Sequence, residues 1–191
     1  MLRRVFLLGL LVAVLGVPRL AQAEAVPAKN QALLLLRILA YDHNLGNRID
    51  NKTVTIAVVA KGGNSDSEDI ANELVSVIRE LAKSTTISNN AISVVRLSYT
   101  DKTFDADIAK TKAAALYVAP GLGDAIVNIA GVTHERKLLT FTGSADYVVT
   151  LAVGFALYDN KATILVNIPA SRAEGADLDP ALLRVAKIVK K

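Results

Sequence analysis

The chain has no cysteine and no tryptophan, only two histidines in 191 residues, and aromatic residues at 5%. Without cysteine there is no disulfide framework, no thiolate nucleophile and no thiol to carry a lipid, so a packed core has to hold the fold. His43 and His134 lie in separate segments with no partner at metal-ligand spacing, and each reads as structural or solvated. No Walker A pattern follows an apolar strand, and no G-x-S-x-G elbow occurs among the many serines. Asp105 and Asp107 sit two positions apart, which on a helix turns their side chains about 200° from one another, so they are not a paired acid and base. These absences remove the recognisable catalytic groupings, metal sets and cofactor motifs. The chain reads as a non-enzymatic binding protein, with a hydrolase of unrecognised arrangement as the rival.

An excess of one charge is missing as well, once the first residues are set aside. The chain opens "MLRRVFLLGLLVAVLGVPRLAQA": two arginines, an apolar run from Val5 to Val17, then Ala21 and Ala23 around Gln22. This is the pattern of a secretory signal peptide cleaved after Ala23. An uncleaved anchor is the alternative, but the run is shorter than the roughly 20 residues that span a bilayer. Of 22 Lys+Arg against 18 Asp+Glu, the leader carries Arg3, Arg4, Arg19 and no acid, which leaves 19 against 18. The basic pI therefore belongs to the leader, and nucleic-acid binding loses its support. No other stretch is apolar for long enough to cross a membrane. Residues 24–191 are one domain in length, expected in the periplasm.

What is present reads as alternating elements. "KNQALLLLRILAY" (29–41) is a leucine-rich helix with Arg37 as the single charge inside its apolar run, expected to lie largely buried. "VTIAVVA" (54–60) is β-branched and apolar, as in a strand covered on both faces. Ile70, Leu74, Val77, Ile78 and Leu81 then form one helical stripe, with acids in its first turns and Arg79 and Lys83 near its end. "AISVVRLSY" (91–99), a short helix over 104–112, "AALYVAP" (114–120), a helix over 122–133 and "LLTFTG" (138–143) continue the alternation. "VVTLAVGFALY" and "KATILVNIP" flank Asp159-Asn160, a two-residue hairpin signal. "DPALLRVAKIVKK" reads as a closing helix with Asp179 as N-cap, Pro180 at its first position, and Leu182, Leu183, Ala186 and Val189 on one face. The expected class is α/β: an open, mostly parallel sheet flanked by helices, with a C-terminal β-hairpin and a terminal helix.

In such a sheet, ligands bind beyond the carboxyl ends of the strands. Three loops end there: "GGNS" with Gly62, Gly63, Asn64 and Ser65; "APGLGD" with Gly121; and "TGSADY" with Thr142, Ser144 and Asp146. Together they supply small residues, hydroxyls and backbone donors for a shallow polar cleft. The glycine-rich turn by itself has two readings, a cradle for an anion at a helix N-terminus or a capped corner. Ser65 with Glu68 forms an S-x-x-E capping box, and the acids Asp66, Glu68, Asp69 and Glu73 crowd the turn, so the residues favour the corner.

From "LLTFTGSADYVV" to the end, the chain resembles the YfiR-like family of exported bacterial proteins. The matching pieces are Thr140, Thr142 and Asp146, "VNIPAS" over 166–171, Arg172, Gly175, and "LLRVAKIV" over 182–189, and the likeness spans roughly residues 30–190. The chain lacks the cysteines and the Trp-Pro seen in several members. The resemblance implies a periplasmic regulator of a membrane signalling protein, such as a diguanylate cyclase or sensor kinase, without a cofactor. A small-molecule solute-binding module is the alternative. Asn167 and Arg172 carry over as family-matched surface positions, Asn167 with a turn-capping amide as its rival reading. The apolar first helix is an expected face for a homodimer.

Overall fold

The computed structural model describes residues 25–190, so the expected signal peptide and its cleavage point lie outside the described residues. Its elements run α1 (Ala28–Ala40), β1 (Thr53–Lys61), α2 (Ser65–Ala82), β2 (Ala91–Tyr99), α3 (Phe104–Thr111), β3 (Ala115–Val118), α4 (Ile126–Arg136), β4 (Leu139–Thr142), β5 (Val153–Tyr158), β6 (Lys161–Val166), α5 (Ile168–Ala173), α6 (Pro180–Val185) and β7 (Lys187–Ile188). They build a 7-stranded sheet in the order β2-β1-β3-β4-β5-β6-β7. β1 pairs in parallel with both β2 and β3, and β4 with both β3 and β5; β5 and β6 are antiparallel.

Alternation along the strands divides the core between the two sheet faces. Val54, Ile56, Val58 and Ala60 of β1 pack with Leu35, Leu39, Leu74 and Ile78 under α1 and α2. Ala57 and Val59 point the other way, against Phe104, Ile108, Ile126 and Ile129 of α3 and α4. β1, β3 and β4 are consequently buried along nearly their whole length, which is why they read as continuous apolar runs. Asp159 and Asn160 take φ of 49° and 58°, the left-handed pair that a two-residue hairpin turn demands, and Tyr158 faces Lys161 across it.

Five boundaries differ from the sequence reading. The helix expected over 122–133 is Ile126–Arg136, because Gly123–Ala125 ahead of it form a 3-10 turn. The capping box is displaced by one residue: Asn64, not Ser65, is the N-cap of α2, its side chain accepting from the Ser67 N–H at 2.9 Å. Glu68 accepts instead from the Gly63 N–H at 3.1 Å. The segment ahead of the hairpin is not strand from residue 148; Ala145–Val149 is a 3-10 turn, and β5 begins at Val153. "VNIPAS" leaves the sheet after Val166 because Asn167 caps α5, accepting from the Ala170 N–H at 3.1 Å. The closing helix stops at Val185; Ala186 is extended, and Lys187 and Ile188 form β7, parallel to β6. The free edge of β6 takes up the β-branched end of the chain, with the Val189 N–H donating to the Val166 carbonyl at 2.8 Å, so Val189 never joins the helix face. α1 is less enclosed than its composition implies: Leu35, Leu36, Ile38 and Leu39 are buried, while Lys29, Asn30, Leu33 and Arg37 face outward.

Candidate functional site

Because β1, β3 and β4 are parallel, their carboxyl ends deliver the three loops to one edge of the sheet. The loops touch. Gly121, at φ 86°, lies so close to Asn64 that a Cβ there would come within 3.3 Å of the Asn64 amide. Tyr147, from the 3-10 turn after β4, brings its ring and hydroxyl up against Gly123 in the loop after β3, and burial pushes its phenol up. The crevice between the β1 and β3 loops, where strand order reverses, is therefore narrowed by Asn64 itself.

The open volume lies one strand further along. A cleft of about 520 Å³ runs between the N-terminal ends of α1 and α2 and the loop after β4. That size suits a small ligand. Ile70, Pro120, Phe155 and Ala156 supply apolar wall; Asp66, Ser144 and Asp146 stand toward its mouth. Its floor is Gln31 and Tyr117, both buried. The Tyr117 hydroxyl donates to Gln31 Oε1 at 2.7 Å, and Gln31 Nε2 donates to the Val26 carbonyl at 2.6 Å. Burial drives the Tyr117 phenol far above its ordinary range, so it stays a neutral donor. Gly143 lies against this pair: a Cβ there would meet Gln31 Oε1 at 2.8 Å and the Tyr117 hydroxyl at 2.9 Å. Among the described residues no cation is ion-paired to Asp66 or Asp146.

Of the residues singled out in the sequence, Ser144 and Asp146 line the cleft. Gly62, Gly63 and Ser65 are exposed at the β1 corner, outside it, and Gly121 with Asn64 closes the neighbouring crevice. Thr142 is fully buried, its hydroxyl accepting from the Ser144 N–H at 3.1 Å, which shapes the loop from beneath. Asn167 is 6% exposed and wholly engaged: besides capping α5, its amide donates to the Val148 carbonyl at 2.9 Å, so it is a structural cap and not a surface contact. Arg172 is exposed on α5, away from the cleft. His43 approaches the cap residue Asp179 at 3.2 Å, and Asp105 and Asp107 point to Arg136 and Lys110 respectively. Among the described residues no cluster of His, Asp and Glu could hold a metal ion.

Sequence reasoning missed Gln31, Tyr117 and Phe155: Tyr117 and Phe155 lie in apolar strands and read simply as core, and no local signal marks Gln31, at the start of a helix, as turned inward. It also missed a buried polar network beneath β4. Glu174 is fully buried and accepts from the Thr140 N–H at 2.7 Å, with the Thr140 hydroxyl at 2.8 Å and that of Thr133 at 3.3 Å. Burial raises its carboxyl to about 8 against those hydrogen bonds and the nearby Arg48. Arg48, lowered to about 10 by burial, pairs with the buried Asp42. These partners are brought together from distant segments, and no local spacing announces them.

Fold and cleft define the class: a parallel α/β domain with an open crevice at the carboxyl edge of its sheet. Within that class the chain belongs to the YfiR/HmsC-like family, whose model matches residues 28–187. No curated protein matches it in sequence. Among solved structures it resembles the ABC domain in complex with L-Trp from Streptococcus pneumonia, with TM-score 0.62, 9% identity, and 85% of this chain against 62% of that one. It also resembles a conserved domain protein from Vibrio cholerae, with TM-score 0.64, 14% identity, and coverage of 86% and 60%. A third is the ligand-free, open structure of a substrate binding protein with adhesive properties from Clostridium difficile, with TM-score 0.59, 16% identity, and coverage of 88% and 61%. The chain thus spans about three-fifths of the length of these structures, and the likeness is one of fold. Among the described residues no helix is long and apolar enough to cross a membrane.

Proposed function

We propose that this chain is an exported, non-enzymatic regulatory domain that works in the periplasm, binds a small solute in the cleft and acts on a membrane signalling protein such as a diguanylate cyclase or sensor kinase. The observation that carries the reading is the cleft itself: about 520 Å³ at the carboxyl edge, apolar in its walls, with a hydrogen-bonded polar floor. Family membership supports the regulatory part. Two carboxylates at the mouth, Asp66 and Asp146, have no cationic partner among the described residues and favour a solute with an apolar body and an ammonium or other donor head. Among the described residues that line the cleft no nucleophile stands beside a base, which suits a site that holds its ligand.

A ¹⁵N titration of the mature protein with a panel of small amines and amino acids tests the solute part. The expected result is a saturable shift of the Gln31, Ser144 and Asp146 amides with a raised melting temperature, since binding to the folded state stabilises by mass action. Combining D66N with D146N should weaken it; flat titrations across the panel would remove the solute. Crosslinking in native cells, followed by purification of the mature protein, tests the partner. Enrichment of one membrane sensor, cyclase or kinase supports the regulator. Recovery of none, with a solute found, leaves the second reading, a solute-binding module, which two structural neighbours favour, one a complex with L-Trp and one a substrate binding protein.

A further inference from the structure

The two edges of the sheet are finished differently. At one end β7 is two residues long and carries Lys187, the short, charged edge that discourages pairing. At the other, β2 runs nine residues from Ala91 to Tyr99 in unbroken register with β1, without proline or bulge. The Ala91 N–H donates to the Lys52 carbonyl of the β1 side, so by the alternation of a parallel ladder Ser93, Val95, Leu97 and Tyr99 also face β1. The backbone N–H and C=O groups of Ile92, Val94, Arg96 and Ser98 face outward, and among the described residues no backbone or side-chain group bonds to them.

Beside this edge, between β2 and α2, lies a groove of about 470 Å³. Asn72, Ser76, Arg79 and Lys83 run along its helix side at helical spacing, and Arg96 rises from the strand. Glu80 pairs with Lys83 at 2.5 Å and Glu68 with Arg96 at 4.0 Å, both at the surface, and among the described residues Arg79 has no ion-pair partner, so the cations exceed the acids that face them. Arg96 Nε is buried with no hydrogen-bond partner among the described residues. In a mature chain with 19 cations against 18 anions, three cations beside one open strand edge are a local concentration, not an overall trend.

We propose that the β2 edge and its basic groove form the docking surface for an extended acidic segment of a partner protein, taken up as an added strand. This rests on the reading that the chain acts through a protein partner. Outward backbone groups supply the ladder, and every second side chain of the incoming strand falls on the groove side, where Arg79, Lys83 and Arg96 select carboxylates.

Fluorescence anisotropy with a labelled peptide of alternating valine and glutamate, titrated with the mature protein, tests this against the matching valine–lysine peptide. The acidic peptide is expected to bind, to shift the amides of Ile92, Val94, Arg96 and Ser98, and to lose binding when its alternate nitrogens are N-methylated. R79Q with K83Q, both at exposed positions, should weaken it by about tenfold or more while the amides of Ile108 and Ile129 on the far face keep their spectrum. Equal binding of the lysine peptide, binding of neither, or shifts confined to the cleft around Ser144 would overturn the proposal. So would self-association of the free protein with those four amides protected from exchange, because a second copy would then occupy the edge. The solute titration is read at other residues, so this surface and the solute site can fail independently.

Discussion

Glu174 is the group whose perturbation tests the energetic picture most sharply. Its carboxyl is fully buried and raised from 4.5 to about 8, burial being the largest cause. In the unfolded chain it ionises near its ordinary value. Between roughly pH 4.5 and pH 8 the folded protein therefore holds a proton that the unfolded chain has released, and stability falls as pH rises by a little over 1 kcal/mol per pH unit. Below that window the contribution is complete; above it the loss levels off, at a ceiling on the order of 5 kcal/mol. His134 works in the opposite direction: burial, then Lys137, lowers its imidazole, so stability is gained as the unfolded histidine deprotonates. Comparison with E174Q cancels the histidine, because both proteins carry it. Glutamine keeps an acceptor for the Thr140 N–H and should cost about 1 kcal/mol near pH 5. Urea unfolding at pH steps across the window, followed by circular dichroism, should show the wild type losing ground to E174Q steadily. Parallel profiles would refute the reasoning: Glu174 would then be ionised when folded, held by Thr140, Thr133 and Arg48.

Four further substitutions probe the frame of the site. G154A places a Cβ against Val148 Cγ2 beneath the loop that borders the cleft, and overpacking of this kind should cost about 1–3 kcal/mol, read as a lower urea midpoint. N167A removes the cap of α5 and the bond to the Val148 carbonyl; a loss of about 1–3 kcal/mol is expected, whereas a neutral result would return Asn167 to the surface role its sequence position suggested. R48M leaves the Asp42 carboxylate buried without its cation and should destabilise by about 3–5 kcal/mol, with D42N in the same chain recovering part of that. G143A pushes against Gln31 and Tyr117, so it should abolish the solute-induced shifts at Ser144 while the far face, reported by the Ile108 and Ile129 amides, keeps its spectrum.

Most of the fold is legible along the chain because it is periodic. Val54, Ile56 and Val58 alternate with Ala57 and Val59, both sets apolar, and that fixes a strand covered on both faces before any contact is known. The stripe through Leu74 and Ile78 fixes α2, and Asp159-Asn160 fixes the hairpin, since each depends on nearby residues alone. The convergence of the three loops on one edge follows from parallel strands joined by crossovers. What the chain does beyond that was settled in three dimensions. Lys187 and Ile188 became sheet, with Val189 hydrogen-bonded just beyond them, because β6, distant in sequence, offered an unpaired edge. Asn64 displaced Ser65 as cap because its backbone, at φ −112°, is extended while Ser65 is already helical. The cleft opened beside β4 and not at the glycine-rich turn because Asn64 fills the turn, while small residues at Gly143, Ser144 and Ala145 leave room above Tyr117. Local patterns specify elements and the order in which they stack; where two distant elements leave space, or bury a Glu174 beside an Arg48, depends on side-chain volumes and charges meeting across the fold, which no window of sequence contains.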